Sequence, residues 1–283
     1  MALYGKALLA LRGEQRWREP LSEALAMTST KLLVSMICPI YEKLLIDMYM
    51  LAWEHKPNLN VVIRFEAVAG VTHSEYEVVF IGQGEGNYKE EFLAHSEGTP
   101  IVILSSKSKV ADDYNNMQEL KAGQYETVAV GGTFDHLHPG HKVLLSITGL
   151  LANKKIIVGL TADQLLQKKA HKEVLQPYNT RADTVSAFLK DINPDIDVEI
   201  VRLIDMYGPT VEISNIDALI VSQETRDNGS SVNNERGKRN MPPLAIHVIE
   251  CLNQAAIKIS STDIRAKLVK QLPSNEGAHV IEE

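Results

Sequence analysis

The sequence has little of what several large classes of protein require. Only two of its 283 residues are cysteines, and neither has other ligand-type residues near it at metal-site spacing. So few thiols exclude a disulfide framework and suit a reducing compartment. Net positive charge is also missing, because the formal net charge is −7, and this argues against a broad electrostatic contact with nucleic acid. Any anionic ligand would have to be held by a local cluster of donors.

Long apolar segments are missing as well. No run reaches the ~20 uncharged residues that a membrane-spanning helix needs. The best candidate, residues 31–53, is interrupted by Pro39 and by several charged side chains. The first twenty residues contain three arginines, as a transit peptide would, but they also contain Glu14 and Glu19, and transit peptides avoid acidic residues. We therefore expect a soluble, cytoplasmic protein that binds neither membranes nor nucleic acid.

The hydrophobic pattern divides the chain at a polar segment, Ser105–Gln124, which we interpret as a linker. Residues 1–120 are predicted to form an N-terminal α/β extension, with a helical segment at Leu21–Trp53 that Pro39 breaks. Residues 121–283 alternate strand-like and helix-like runs, which is typical of βαβ units on a parallel sheet. The predicted fold class is α/β, a Rossmann-like doubly wound parallel sheet with an N-terminal α/β extension. Ligands of such sheets bind at the carboxyl ends of the strands.

A motif rich in glycine and histidine follows the first strand of the second part, in the segment Val130–Lys142 (VGGTFDHLHPGHK). Gly131 and Gly132 allow a sharp turn and a close approach of the backbone to a ligand. His138 and His141 are three residues apart at a predicted helix start, so both rings can face the spot at which the helix N-terminus points. Two imidazoles and free N–H groups suit a developing phosphate charge. Metal binding by the histidines is the alternative, but the segment has no HExxH pattern.

A second motif precedes the last predicted helix, where Ser260, Ser261 and Thr262 are three consecutive hydroxyl residues. One of the serines is expected to cap the helix, and Asp263 suits its first turn. Capping accounts for only one hydroxyl. Several hydroxyls at a helix start also predict a phosphate cradle, to which Arg265 would add a planar cation. The two motifs together predict a polyphosphate site.

These motifs resemble those of the HxGH nucleotidyltransferase superfamily, whose members share GGTFD, HxGH and a late ISSTxxR. The sequence resembles in particular the archaeal and eukaryotic type of the phosphopantetheine adenylyltransferase family, over about residues 126–268. Further matching segments are Pro177–Arg181, Asp205–Thr210, Val221–Thr225 and Asn233–Leu244. The resemblance implies transfer of AMP from ATP to 4′-phosphopantetheine, which gives dephospho-CoA and pyrophosphate in coenzyme A biosynthesis.

The resemblance also implies roles for individual residues. His138 and His141 would contact the ATP phosphates, and a lysine would help to stabilise the transition state. Lys168 and Lys169 are favoured for that role over Lys172. The implied nucleotide-binding residues are Gly131, Gly132, Thr133, Phe134, Ser260, Ser261, Thr262 and Arg265. Mg²⁺ is expected on the substrate phosphates, and no protein residue is predicted as a metal ligand.

Two other functions stay open. The same chemistry could serve another acceptor, as in a cytidylyltransferase or a nicotinamide mononucleotide adenylyltransferase, although KISSTDIR differs from the RTxGISTT-like ending of cytidylyltransferases. A non-catalytic nucleotide-binding scaffold is the second alternative, with residues 1–120 as a surface for protein partners. Some eukaryotic relatives carry a fused dephospho-CoA kinase, but this sequence has no GxxxxGK[ST] loop. His136 lies outside the HxGH spacing, and we predict no catalytic role for it.

Overall fold

The computed structural model describes most of the chain, namely residues 3–12, 17–65, 75–82, 98–104, 114, 117–249 and 260–271. Within these ranges the strands form two separate five-stranded sheets, and all the strand pairs are parallel. Parallel neighbours need crossover connections, and helices supply them. The predicted α/β, Rossmann-like fold is confirmed, and so is the α/β character of the N-terminal extension.

The first sheet is built from residues 4–104. Its strands are β1 (Tyr4–Arg12), β2 (Thr28–Ile37), β3 (Asn60–Phe65), β4 (Val78–Gly82) and β5 (Ile101–Leu104), in the spatial order β3-β2-β1-β4-β5. Helices α1 (Arg18–Met27) and α2 (Glu42–His55) connect the first three strands. The central strands are almost continuously apolar, because helices cover the faces of a parallel sheet.

The prediction of a broken helix over Leu21–Trp53 is wrong in its middle third, which is strand β2. This strand lies between β1 and β3, and its residues 32–36 are all buried. A short apolar run that is buried on both faces has the same appearance in a strand and in a core helix, so its periodicity does not distinguish them. Pro39 lies in the connection between β2 and α2 and kinks no helix.

The second sheet is built from residues 125–249. Its strands are β6 (Tyr125–Gly132), β7 (Ala152–Thr161), β8 (Asp197–Leu203), β9 (Ala218–Ser222) and β10 (Ala245–Ile249), in the spatial order β10-β9-β6-β7-β8. The helices are α3 (Pro139–Leu151), α4 (Tyr178–Ile192), α5 (Arg226–Lys238) and α6 (Ser261–Gln271). Both sheets therefore have the same topology, with the first strand at the centre and the strand order reversing between the first and fourth strands. In the second sheet this reversal separates the carboxyl ends of β6 and β9, which creates a crevice.

The two sheets share one apolar core, because α2 packs directly against α3. At this contact the Tyr49 hydroxyl lies 2.9 Å from the Ser146 hydroxyl and accepts a hydrogen bond from the Ile63 N–H at 3.0 Å. Lys142 on α3 donates to the carbonyl of Val61 in β3, at 2.9 Å. A division into domains at residue 120 stays a prediction, since the described core is continuous across it.

Part of the predicted linker is outside the described residues, but its described part packs against the first sheet. Tyr114 stacks on Tyr41 with 5.9 Å between ring centroids, and the Leu120 N–H donates to the carbonyl of Ile40 at 2.8 Å. Leu120 is itself buried. Tyr114 and Leu120 therefore anchor the described part of this segment, while residues 117–119 and 121–124 are exposed.

Removal of the Tyr49 hydroxyl tests whether its hydrogen bonds at the contact between the two sheets stabilise the fold. Tyr49→Phe leaves the Ile63 N–H and the Ser146 hydroxyl buried without this partner, so we expect the free energy of unfolding to fall by about 1–3 kcal/mol. Urea denaturation that is followed by fluorescence and by circular dichroism would measure the loss.

The matched control is Tyr125→Phe, because that hydroxyl accepts only a surface hydrogen bond from Gln124. Its effect should stay within about 0.5 kcal/mol. Equal losses in the two variants would contradict a stabilising role for the contact between the sheets.

Candidate functional site

A cleft of about 520 Å³ opens where β6 and β9 separate. The end of β6, the first turn of α3, the turn after β9 and the start of α6 form its walls. Every residue predicted for the site lines this cleft except Lys168. The predicted residues in the wall are Gly131, Gly132, Thr133, Phe134, His138, His141, Lys169, Ser260, Ser261, Thr262 and Arg265. The fold thus brings together two motifs that lie more than 100 residues apart in sequence.

The chain turns sharply where β6 ends, and Phe134 adopts a left-handed backbone conformation (φ 50°) with its side chain fully buried. Its ring covers Gly132, where an added Cβ would lie 3.1 Å from two ring carbons. The same ring packs against His141, with 5.4 Å between centroids. Phe134 therefore supports the backbone turn and the histidine, while its predicted contact with the nucleotide stays a prediction.

The two histidines of the motif stack on each other at the start of α3. His138 is the N-cap residue, and Pro139 follows at the first helical position, where its missing N–H costs nothing. The ring centroids of His138 and His141 lie 3.9 Å apart. In the part of the chain that the structure describes, the buried Nδ1 atoms of both rings have no hydrogen-bond partner.

Burial keeps this histidine pair uncharged. Loss of solvent lowers the pKa of His138 to about 4, partly offset by the negative charge of Asp135. Burial lowers the pKa of His141 well below its ordinary value, and the neighbouring His138 lowers it further. Two neutral imidazoles can each donate one N–H to a phosphate oxygen. Their desolvation raises the free energy of the ligand-free site, as is common where a protein trades stability for function.

A buried ion pair connects the first motif to the last helix. Arg265 donates from Nη1 to Asp135 at 2.6 Å, and both side chains are almost completely buried. Its Nε donates to the carbonyl of Ala170 and its Nη2 to the hydroxyl of Thr262. The sequence predicted Arg265 as a cation for a phosphate and did not identify Asp135. The ion pair means that the guanidinium first positions α6, so direct contact with a phosphate stays a prediction.

The hydroxyl residues at the start of α6 divide into two roles. Ser260 and Asp263 form a reciprocal cap, in which the Ser260 hydroxyl donates to the carboxylate at 2.6 Å and accepts from the Asp263 N–H at 3.2 Å. This hydrogen bond lowers the pKa of the Asp263 carboxyl. Ser261 donates to the carbonyl of Asp135 at 3.0 Å, which joins α6 to the first motif. Capping therefore occupies Ser260, as its position at the helix start suggested.

The structure separates the candidate lysines. Lys169 lies in the loop after β7 and lines the cleft, whereas Lys168 and Lys172 do not. The backbone N–H of Lys169 donates to the carbonyl of Leu166 at 3.0 Å, which holds the loop in a turn. Of the three candidates, Lys169 is therefore the one that lines the cleft, and its contact with a phosphate stays a prediction.

Arg181 was not predicted as a site residue. Its side chain is fully buried, and it donates to the carbonyls of Thr133 and Thr161 at 2.8 and 3.0 Å. It also pairs with Asp163 at 2.6 Å. These bonds tie the carboxyl ends of β6 and β7 to α4. The only signal in the sequence was its place in the matching segment Pro177–Arg181.

Two further parts of the wall were not predicted. The turn after β9 brings Ser222 and Thr225 to the cleft, with 3.1 Å between their hydroxyl oxygens. Ile46 and Met50 of α2 complete the wall from the first sheet. His136 bonds the carbonyl of Val174 through Nε2 at 2.8 Å, so it serves the loop structure.

Within the described ranges, no group of three or more histidine, cysteine or acidic residues is arranged to hold a metal ion. None of the helices there combines the length and apolarity that crossing a membrane requires.

The lowered pKa values of the histidines predict a pH dependence of stability. Between about pH 6.5 and 4 the unfolded chain binds protons at His138 and His141 that the folded chain does not bind, so the free energy of unfolding should fall as the pH falls through this window. His138→Gln removes one of these groups and should reduce the loss between pH 7 and 5. Thermal or urea unfolding at a series of pH values measures this.

His55→Gln is the control, since His55 is an exposed histidine at the end of α2. It should leave the pH dependence unchanged. A profile for His138→Gln that coincides with the unsubstituted protein would show that the ring is not held neutral.

Comparison with known proteins identifies related chains. The cytidylyltransferase-like family model matches residues 129–267. Phosphopantetheine adenylyltransferase of Saccharomyces cerevisiae is 42% identical over 163 residues, which are 54% of this chain and 53% of that protein. The protein of the same name from Methanopyrus kandleri is 38% identical over 146 residues, 51% of this chain and 92% of that protein. A solved structure from Archaeoglobus fulgidus, of a protein with unknown function, is 27% identical and covers 47% of this chain and 95% of that chain, with a TM-score of 0.40.

The region of similarity contains the cleft and both motifs. The chain spans about half the length of the yeast relative, but the matched segment covers nearly all of the archaeal one. The match at 38% identity over that length is a family relationship, and the resemblance seen in the motifs is confirmed. The chain belongs to the phosphopantetheine adenylyltransferase family.

Proposed function

We propose that this protein transfers the adenylyl group of ATP to 4′-phosphopantetheine, which yields dephospho-CoA and pyrophosphate. The observation that carries the proposal is the cleft at the reversal point of the second sheet, where two neutral histidines, a lysine and the start of α6 converge. Relatives that carry the name phosphopantetheine adenylyltransferase support the choice of substrates.

The acceptor phosphate is already ionised, so one of its oxygens can attack the α-phosphorus and the reaction needs no general base. What remains is to align the two substrates and to stabilise the growing negative charge. In our proposal His141 and His138 donate N–H groups to phosphate oxygens, and Lys169 supplies the positive charge. The backbone N–H groups of Ser261 and Thr262 and the hydroxyl of Thr262 receive the leaving pyrophosphate at the start of α6, while the Ser261 hydroxyl stays bonded to the carbonyl of Asp135.

Mg²⁺ is part of the proposal as an ion bound to the substrate. Of the carboxylates near the cleft, Asp135 is committed to Arg265, while Glu224 and Asp263 lie in the wall. This set suits an ion held mainly by phosphate oxygens and water, as the octahedral preference of Mg²⁺ permits. When bound, the ion would neutralise part of the triphosphate charge. The cytoplasmic location and the use of residues 1–120 to bind protein partners stay predictions.

A panel of acceptors tests the substrate assignment. Pyrophosphate release from ATP should depend on 4′-phosphopantetheine and should not occur with nicotinamide mononucleotide. CTP should not replace ATP. Turnover with a different acceptor would replace the proposed substrate, and absence of turnover with all the acceptors would favour a binding role.

His141→Ala should lower kcat by about 10²–10³, the cost of losing one donor to the transition state.

Two adjacent lysines provide a matched test of the catalytic cation. Lys169→Met should lower kcat by about 10–10³ because it removes a charge that faces the phosphates. Lys168→Met removes the same charge one residue away, outside the cleft wall. It should leave kcat within about twofold, since this charge does not line the cleft that would hold the phosphates. The reverse result in steady-state kinetics would transfer the role to Lys168.

A further inference from the structure

A second cavity, of about 530 Å³, lies between the two sheets and away from the reversal point. Helix α2 and the turn after it, strand β3, the start of α3 and one face of α4 form its walls. Most of the wall is apolar, and Trp53, Leu59, Val61 and Phe188 are among the lining residues. A cavity of this size and character suits the aromatic or branched aliphatic body of a small molecule.

Lys142 brings a positive charge to this apolar wall. Its ammonium group donates to the carbonyl of Val61 and lies 6.0 and 5.8 Å from the ring centroids of Tyr49 and Phe188. Among the described residues no carboxylate lies within ion-pair distance of it. Loss of solvent lowers the pKa of Lys142 to about 8. A partly buried ammonium with three N–H groups and one carbonyl partner can still accept an anion.

The remaining charges of the wall limit which anion fits. Asp183 and Asp191 also line the cavity, and Asp191 pairs with Lys31 at 2.6 Å. Lys56 donates to the carbonyl of Thr28 at 2.6 Å. The three lysines (Lys31, Lys56 and Lys142) and the two aspartates leave one net positive charge at the cavity. A monocarboxylate at Lys142 would balance that charge, whereas a phosphate dianion would leave an excess negative charge beside the two carboxylates.

We propose that this cavity is a binding site for a small monocarboxylate with an aromatic or branched aliphatic body, and that its carboxylate pairs with Lys142. The site is separate from the cleft of the proposed transfer reaction. Its occupant would contact Leu137 and Pro139, which flank His138. The ligand would therefore lie behind the helical turn that carries the histidines.

Calorimetric titration of the full chain tests the proposal with three probes, which are 4-phenylbutyrate, its neutral amide and inorganic phosphate. We expect the carboxylate to bind about tenfold or more tightly than the amide, the weight of a charge-assisted hydrogen bond. Lys142→Met keeps the length of the side chain and should remove this preference. Phosphate should show no binding that depends on Lys142.

The matched control is Lys190→Met, because Lys190 also donates to backbone carbonyls, those of Pro194 and Ile196, but lies outside the cavity wall. It should leave carboxylate affinity unchanged. Ala187→Trp fills the cavity from an exposed position on α4 and should weaken the binding of acid and amide alike.

Three results would overturn the proposal. They are absence of saturable carboxylate binding, equal affinity for acid and amide, and a preference for the acid that survives in Lys142→Met. All three measure binding directly, so they do not depend on whether the chain transfers adenylyl groups.

Discussion

The buried ion pair of Asp135 and Arg265 is the contact on which the candidate site depends. It joins residues 130 positions apart and places the start of α6 beside the turn that ends β6. Ser261 adds a second bond across the same junction, to the carbonyl of Asp135. Breaking such a pair from one side leaves an uncompensated buried charge, which costs about 3–5 kcal/mol. The shape of the cleft therefore depends on a buried ion pair that holds together two motifs far apart in sequence.

The same exclusion of water that strengthens this ion pair also suppresses charge on the histidines. The stacked rings of His138 and His141 are buried, which disfavours their protonated form. The cleft therefore contains neutral donors and one flexible cation, Lys169. A site of this kind presents fixed dipoles to a developing charge and needs little reorganisation when that charge appears. Arg181 holds the carboxyl ends of β6 and β7 together beneath this wall, because it bonds the carbonyls of Thr133 and Thr161.

Much of the second sheet could be predicted from the sequence, because its strands and helices alternate with clear periodicity. The motif residues were also predicted, because glycines, histidines and hydroxyl residues at the ends of strands and helices can be recognised from the local sequence. Asp135 could not be identified, because nothing local indicates that a buried carboxylate pairs with an arginine 130 residues later. Helix α5 was also missed, since its sequence RDNGSSVNNERGK has almost no apolar stripe. Its Arg236 holds it in place through tertiary bonds to four backbone carbonyls.

The first sheet has a closer relation to the site than its lack of motifs suggested. Ile46 and Met50 of α2 reach the cleft, and the same helix buries an apolar face of α3 on the side opposite the second sheet. Helix α3 is apolar on nearly all sides, with buried residues from Val143 to Leu151, which is the pattern of a helix enclosed in a core. Without residues 1–120 that helix would expose one of these faces to water. The histidines lie in its first turn, so the geometry of the site depends on the first sheet through packing, although all the predicted chemistry belongs to the second.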